Sequence, residues 1–197
     1  AGCKLEANDL GAVNLAAGDL ALVIQMQCAT ITTTNSNAYG DGVAADPASG
    51  FTEPGSCQAG RYQYVRAGPA TSGTSLDLSG SALTGTYIQA AASNTLGRRT
   101  IQVVRVPQYQ DATLSGTVTG VAWNGGSGGI VALDVAGALA LTGTINADGL
   151  GFRGGGGRAR SVNDAVQRFR WDADERHAVK GEGIVGTPRF VSNKIDP

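Results

Sequence analysis

The stretch DGLGFRGGGGRAR, Asp148 to Arg160, limits what this chain can fold into more than any other. Gly154, Gly155, Gly156 and Gly157 follow one another between Arg153 and Arg158. Backbone without Cβ atoms can cradle a phosphate, clamp a nucleic acid, or pack where side chains do not fit. Glycine supplies 30 of the 197 residues against 6 prolines, about double the usual glycine share. With 42% hydrophobic residues the chain has material for a core, so the bias is neither collagen-like nor that of a disordered chain. Glycine is expected to serve ordered structure.

Charge narrows the three uses. The net charge is -1 and the isoelectric point about 5.8, which argues against a nucleic-acid protein. The distribution is uneven: residues 1–150 carry 6 basic and 10 acidic groups, residues 151–197 carry 9 and 6. Only 3 of the 15 basic residues are Lys, and Arg's planar fork suits pairing with carboxylates and carbonyls. Internal pairing is the favoured reading. No run of 18 apolar residues occurs, so no membrane span is expected. No charged-then-apolar leader precedes Ala1, and the chain reads as a mature product or a trimmed piece of one.

The first half reads as strands separated by turns. In DLALVIQMQCATI, Leu22, Ile24, Met26 and Cys28 fall on one face and Gln25 and Gln27 on the other, the period of a half-buried strand. GRYQYVRAG repeats the pattern with Tyr62 and Tyr64, and RRTIQVVRVPQY with Ile101 and Val103 until Pro107 stops it. The 25 residues TTTNSNAYGDGVAADPASGFTEPGS between the first two strands show no period and read as a long loop. Cysteines at 3, 28 and 57 have no metal or redox spacing; one bridge is expected, Cys28 with Cys3 or with Cys57. Residues 1–107 are therefore predicted to form an antiparallel sandwich or small barrel.

Residues 108–197 form the second predicted domain. LSGTVTG from Leu114 and LTGTINADG from Leu141 are alike and start 27 residues apart, with the alternating GGIVALDVAGALALTGTI leading into the second. Short Gly/Thr-punctuated strands at that interval suit a rung of a β-solenoid, in which neighbouring coils bury each other; a second sandwich also accommodates them. Residues 161–176, SVNDAVQRFRWDADER, form the one helical candidate: Ser161 and Asp164 start it, and Val162, Ala165, Val166 and Phe169 make an apolar stripe. The fold class predicted for the whole is all-β with one short helix.

No familiar chemistry survives inspection of the motifs. Gly149, Gly151 and Gly154 satisfy the dinucleotide spacing with Asp172 downstream, but that motif must open a helix, and Gly155 to Gly157 open helices poorly. Arg158 stands where a P-loop needs Lys. GGSGG around Ser127 fits a nucleophile elbow, yet a strand follows it and the single His of the chain, His177, leaves the serine without an evident base; a turn serine is the plainer reading. Asp172, Asp174 and Glu175, or Asp41 and Asp46, are candidates for calcium through oxygen ligands. Acids on a wet face near Arg170 and Arg176 explain the first group more simply. No catalytic residue and no cofactor is assigned.

The strings AAGDLALVIQMQ, AYGDG, VVRVPQY, AWNGGSGGIVALDVAG, DGLGFRGGGGR and KGEGIVGTPR together resemble large glycine-rich proteins that bacteria secrete to their surface. The resemblance covers most of the chain. It implies a secreted envelope or extracellular component and no catalytic residues, and it makes the glycine run structural. Phe152 would anchor the run, Gly154 to Gly157 would pack closely, and Arg153 and Arg158 would bond neighbouring carbonyls or acids. The expected function is a structural protein of a bacterial cell surface, a subunit of a filament, appendage or layer with an adhesive role. Its partners would be copies of itself and surface glycans. The alternative is a polysaccharide-binding or polysaccharide-cleaving solenoid. A carbohydrate-binding module would instead expose aromatics such as Tyr39, Phe51, Trp123 or Trp171.

Overall fold

The computed structural model describes residues 15–31, 52–53, 57–72, 75–92, 97–155 and 181–186. No helix occurs among them, and eleven strands account for the regular structure: β1 Leu20–Gln27, β2 Thr30–Ile31, β3 Thr52–Glu53, β4 Tyr62–Arg66, β5 Thr100–Arg105, β6 Gln108–Tyr109, β7 Ala112–Leu114, β8 Thr117–Thr119, β9 Asp134–Val135, β10 Leu139–Leu141 and β11 Thr144–Asn146. They make one three-stranded sheet, β4-β1-β5, and four two-stranded ones, so the described residues are all-β. The helix expected over 161–176 lies outside them.

The described residues divide into two compact units interleaved along the chain. One takes those in Ala1–Ile24, Tyr62–Gly85 and Gln102–Arg153, the other those in Gln25–Arg61, Thr86–Ile101 and Gly154–Pro197. Strand pairing changes character after Pro107. Before it, β1 pairs β4 and β2 pairs β3 antiparallel; after it, β6 pairs β9, β7 pairs β10 and β8 pairs β11 parallel.

In the first unit, a turn at Ala16–Asp19 starts β1. Asp19 N donates to Ala16 O at 3.1 Å, and Ala16 N donates to Asp19 Oδ2 at 2.9 Å. Arg105 Nε donates to the same carboxyl oxygen at 2.9 Å. Those bonds, that of Arg105 first and that of Ala16 next, hold the Asp19 carboxyl below the usual aspartate range. The register of β1 with β4 sets Leu22 opposite Tyr64 and Ile24 opposite Tyr62.

The period of two is present in the sheet, but β1 is covered on both faces, with Leu22 and Cys28 buried as the hydrophobic pattern suggests and Gln25 and Gln27 buried against it, while the tyrosines of β4 turn outward. Tyr62 and Tyr64 are 61% and 53% exposed, whereas Gln25 and Gln27 are fully buried, Thr100 is 1% exposed and Gln102 is buried. The reason lies in the amides. A glutamine carries a donor and an acceptor on one planar group, as a peptide does, and burial is tolerated once both are bonded, as they are at Gln25 and Gln27; Gln102 Oε1 is buried without a partner among the described residues.

In the second unit, Gln25 Oε1 accepts from Ile88 N at 2.7 Å while Nε2 lies within donating distance of Ile88 O at 2.9 Å, Gln27 O at 3.0 Å and Thr100 O at 3.1 Å. Gln27 Nε2 donates to Gly183 O, and Gln27 Oε1 accepts from Thr100 Oγ1. In the first unit Gln63 holds Ala82 O and Thr84 N in the same manner. The chain over 82–90 is thus held by glutamine side chains that act as surrogate strand partners. Near the end of β1 in the second unit, Cys28 is bridged to Cys57, 29 residues on. This settles one of the two pairings left open by the sequence.

Candidate functional site

The most ordered repeat in the first unit is the pair of chain passes that follow Pro107. Asp134 N donates to Pro107 O at 2.9 Å, and from there the second pass lies beside the first in step. Gln108 pairs with Asp134, 26 residues later, then Leu139–Leu141 with Ala112–Leu114, and Thr144–Asn146 with Thr117–Thr119. The interval within the last two pairs is 27 residues, as it is for Ala138 N donating to Asp111 Oδ1 at 2.7 Å. Gln108 Nε2 donates to Asp134 Oδ2 at 2.8 Å. The carboxylates of Asp111 and Asp134 therefore hold one pass to the other. The similar strings LSGTVTG and LTGTINADG, noticed in the sequence, are the parts paired here.

Glycine makes the corners possible. At Gly143 an added Cβ would meet the main chain of Ser115 and Gly116, and at Gly120 it would fall 2.7 Å from Ile130 O. Gly128 combines φ +105° with close approach to the main chain of Ala122 and Trp123, a conformation and a space that only glycine suits. Between these corners, Gly126 N and Ser127 N both donate to Asn124 Oδ1, at 2.8 and 2.9 Å. Ser127 is thus a residue of an Asn-organised turn.

The second pass presents apolar side chains to solvent: Leu139 is 47% exposed, Leu141 52% and Ile145 43%. Among the described residues β10 and β11 pair only with β7 and β8, so each of the four has one edge without a strand partner. An open groove of about 750 Å3 lies along the first pass, lined by Val104, Tyr109, Leu114, Val118, Val121 and Leu133 among others. Unpaired edges beside exposed apolar side chains are suited to adding another strand layer.

The chain matches no family model, no curated protein and no solved structure.

Of the residues that the sequence singles out, Phe152 is half-buried and meets Trp123 edge to face, with ring centroids 5.2 Å apart at 87°. Trp123 is itself buried, so it belongs to the core and cannot serve as an exposed sugar platform. Arg153 is half-buried, while Gly154 and Gly155 are exposed. A Cβ at Gly154 would meet open space; among the described residues the close backbone packing is at Gly120, Gly128, Gly137, Gly143 and Gly186. Gly156, Gly157 and Arg158 lie outside the described residues. So do Cys3, Tyr39, Phe51, Trp171, His177 and all five calcium candidates, Asp41, Asp46, Asp172, Asp174 and Glu175. Among the described residues no group of three or more His, Cys, Asp or Glu could hold a metal ion, and no helix is long and apolar enough to cross a membrane.

Sequence reasoning missed two features. Tyr62 and Tyr64, on the edge strand β4, face outward with ring centroids 5.9 Å apart; periodicity showed that they share a face but not which one. The buried glutamines were assigned to the wet side because a hydropathy pattern carries no information about bonding partners 63 or 75 residues away.

Proposed function

We propose that this chain is a secreted structural protein of a bacterial cell surface that assembles with itself into a filament, appendage or layer, and that the two passes after Pro107 are successive coils of a β-solenoid. The observation that carries the reading is the 26- to 27-residue register kept through three successive parallel pairs. Stacked coils bury each other's faces, and such a stack ends in unpaired strand edges unless something caps it. The bridge between Cys28 and Cys57 fits the oxidising conditions outside a cell. The carboxylates of Asp111 and Asp134 serve coil-to-coil bonds, which leaves them poorly placed as an acid–base pair for cleaving polysaccharide.

Electron microscopy and sedimentation of the purified, oxidised protein test the reading. Filaments, sheets or a concentration-dependent increase in mass are expected. Strictly monomeric protein across the soluble range would overturn it.

A second reading, binding of surface glycans, is favoured by Tyr62 and Tyr64. Two outward tyrosines on one strand face offer apolar ring surface with hydroxyls at the rim, which suits sugar rings. Replacing both with Ser should abolish retention on glycan arrays while leaving self-association intact.

A further inference from the structure

Gly116 is a glycine that nothing among the described residues requires. Its φ is not in the left-handed region, and an added Cβ would meet nothing within 4 Å. Its counterpart one coil later, Gly143, is glycine because a Cβ there would strike the main chain of Ser115 and Gly116 in the coil before. The two glycines occupy equivalent corners, in Leu114-Ser115-Gly116-Thr117 and Leu141-Thr142-Gly143-Thr144, and the residues flanking them pair in register. A preceding coil lying against that corner, as the first coil lies against Gly143, would require glycine at position 116.

We infer that the missing coil is the second coil of another copy of this chain: β10 and β11 of one molecule pair, parallel and in register, with the free edges of β7 and β8 of the next. This rests on the self-assembly proposed above and names its geometry. The second coil repeats the corner sequence of the first with only Ser115 changed to Thr142. The surface it turns outward is therefore the kind on which a coil already sits within the molecule. Leu139, Leu141 and Ile145, about half exposed in the single chain, would be covered by the copy stacked on them. Such a contact joins two different edges, so it does not close on itself and propagates as a filament.

Two experiments test this. The first is sedimentation and thermal melting of Gly116→Val. Because the added side chain enters open space, the melting temperature should stay within a degree or two of the unmodified protein, while assembly is lost. Assembly undiminished in Gly116→Val overturns the inference.

The second uses two variants in a Cys3→Ser background, Thr144→Cys and Thr117→Cys, oxidised separately and mixed. Strands in one ladder lie about 4.8 Å apart, within the roughly 4.4–6.8 Å that a disulfide spans between Cα atoms. Like positions on successive copies would be two layers, about 10 Å, apart. Mixed chains should therefore cross-link and single variants should not. This arm decides the matter if Gly116→Val melts early. Assembly without a mixed cross-link, or cross-linking of either variant alone, sinks the head-to-tail stack and leaves the structural function standing. Failure of the unmodified protein to assemble removes that function itself and the stack with it.

Discussion

Gly143 lies so close to the corner at Gly116 that an added Cβ would fall 2.7 Å from the carbonyl carbon of Ser115 and 2.8 Å from Gly116 N. These are main-chain atoms held by the ladder around them: Gly143 N donates to Leu114 O at 2.7 Å and Thr144 N to Gly116 O at 3.0 Å. Neither neighbour can move aside without opening the pairing between the two passes.

Gly143→Ala should therefore lower stability by about 1–3 kcal/mol, the usual range for overpacking a close-packed site. Gly154→Ala, which enters open space on an exposed segment, should change it by less than about 0.5 kcal/mol. Urea unfolding with a common m-value measures both. Equal losses would mean that Gly154 is packed after all.

The buried amide of Gln25 supports a second prediction. Gln25→Met keeps the approximate volume but leaves Ile88 N and several carbonyls without their partner, and each buried orphan costs about 1–3 kcal/mol. Gln63→Met removes the same kind of pairing, to Ala82 and Thr84, in an exposed setting where water replaces it; it should cost under about 1 kcal/mol. Denaturant midpoints for the two variants should separate clearly. Comparable midpoints would show that the glutamine network is not what fixes the 82–90 segment to the sheet.

How far the sequence discloses this fold depends on what each pattern encodes. The period of two located β1, β4 and β5 because alternation is a property of the strand itself. That the glutamine side of β1 is buried as well was not legible, since the deciding bonds join Gln25 to Ile88 and Thr100 across 63 and 75 residues. The repeat at Leu114 and Leu141 was legible as a 27-residue interval because the two passes that pair in parallel carry like residues at like positions. The open edges were not, because exposure of Leu139 or Ile145 is a property of what fails to cover them. The four-glycine run drew attention by composition, yet crowding is set by neighbours: Gly143, unremarkable in the sequence, is confined, and Gly154 is not.

The Asp19–Arg105 pair gives a pH prediction. The Arg105 side chain, and after it the Ala16 amide, hold the Asp19 carboxyl below the usual aspartate range in the folded state, so its contribution is present above the unfolded value. It is lost as pH falls below about 4 and through the folded value. Asp77 is lowered as well, by the amides of Ala70 and Ser79, so the readout has to be a difference between variants. Melting temperatures followed from pH 5 downward should fall less steeply for Asp19→Asn than for the unmodified protein, converging in acid. At neutral pH the variant should be less stable by up to about 1 kcal/mol, as for other part-exposed pairs. Parallel curves would remove Asp19 from the acid response.

The bridge between Cys28 and Cys57 closes a loop across 29 residues, most of them in the long segment that the sequence shows to lack any regular period. Cross-linking a loop of that length removes chain entropy from the unfolded state worth about 3–4 kcal/mol. Reduction, or Cys28→Ser with Cys57→Ser, should lower the urea midpoint accordingly. Because the first unit holds its parallel ladder through Asp111, Asp134 and the glycine corners, none of which involves the bridge, the loss should fall unequally on the molecule. Amide exchange after reduction should quicken at Gln25 and Ala59, whose amides bond to Arg61 O and Cys28 O, before it quickens at Thr142 and Thr144. Simultaneous loss of protection at all four amides would instead show that the bridge stabilises the chain as a single cooperative body.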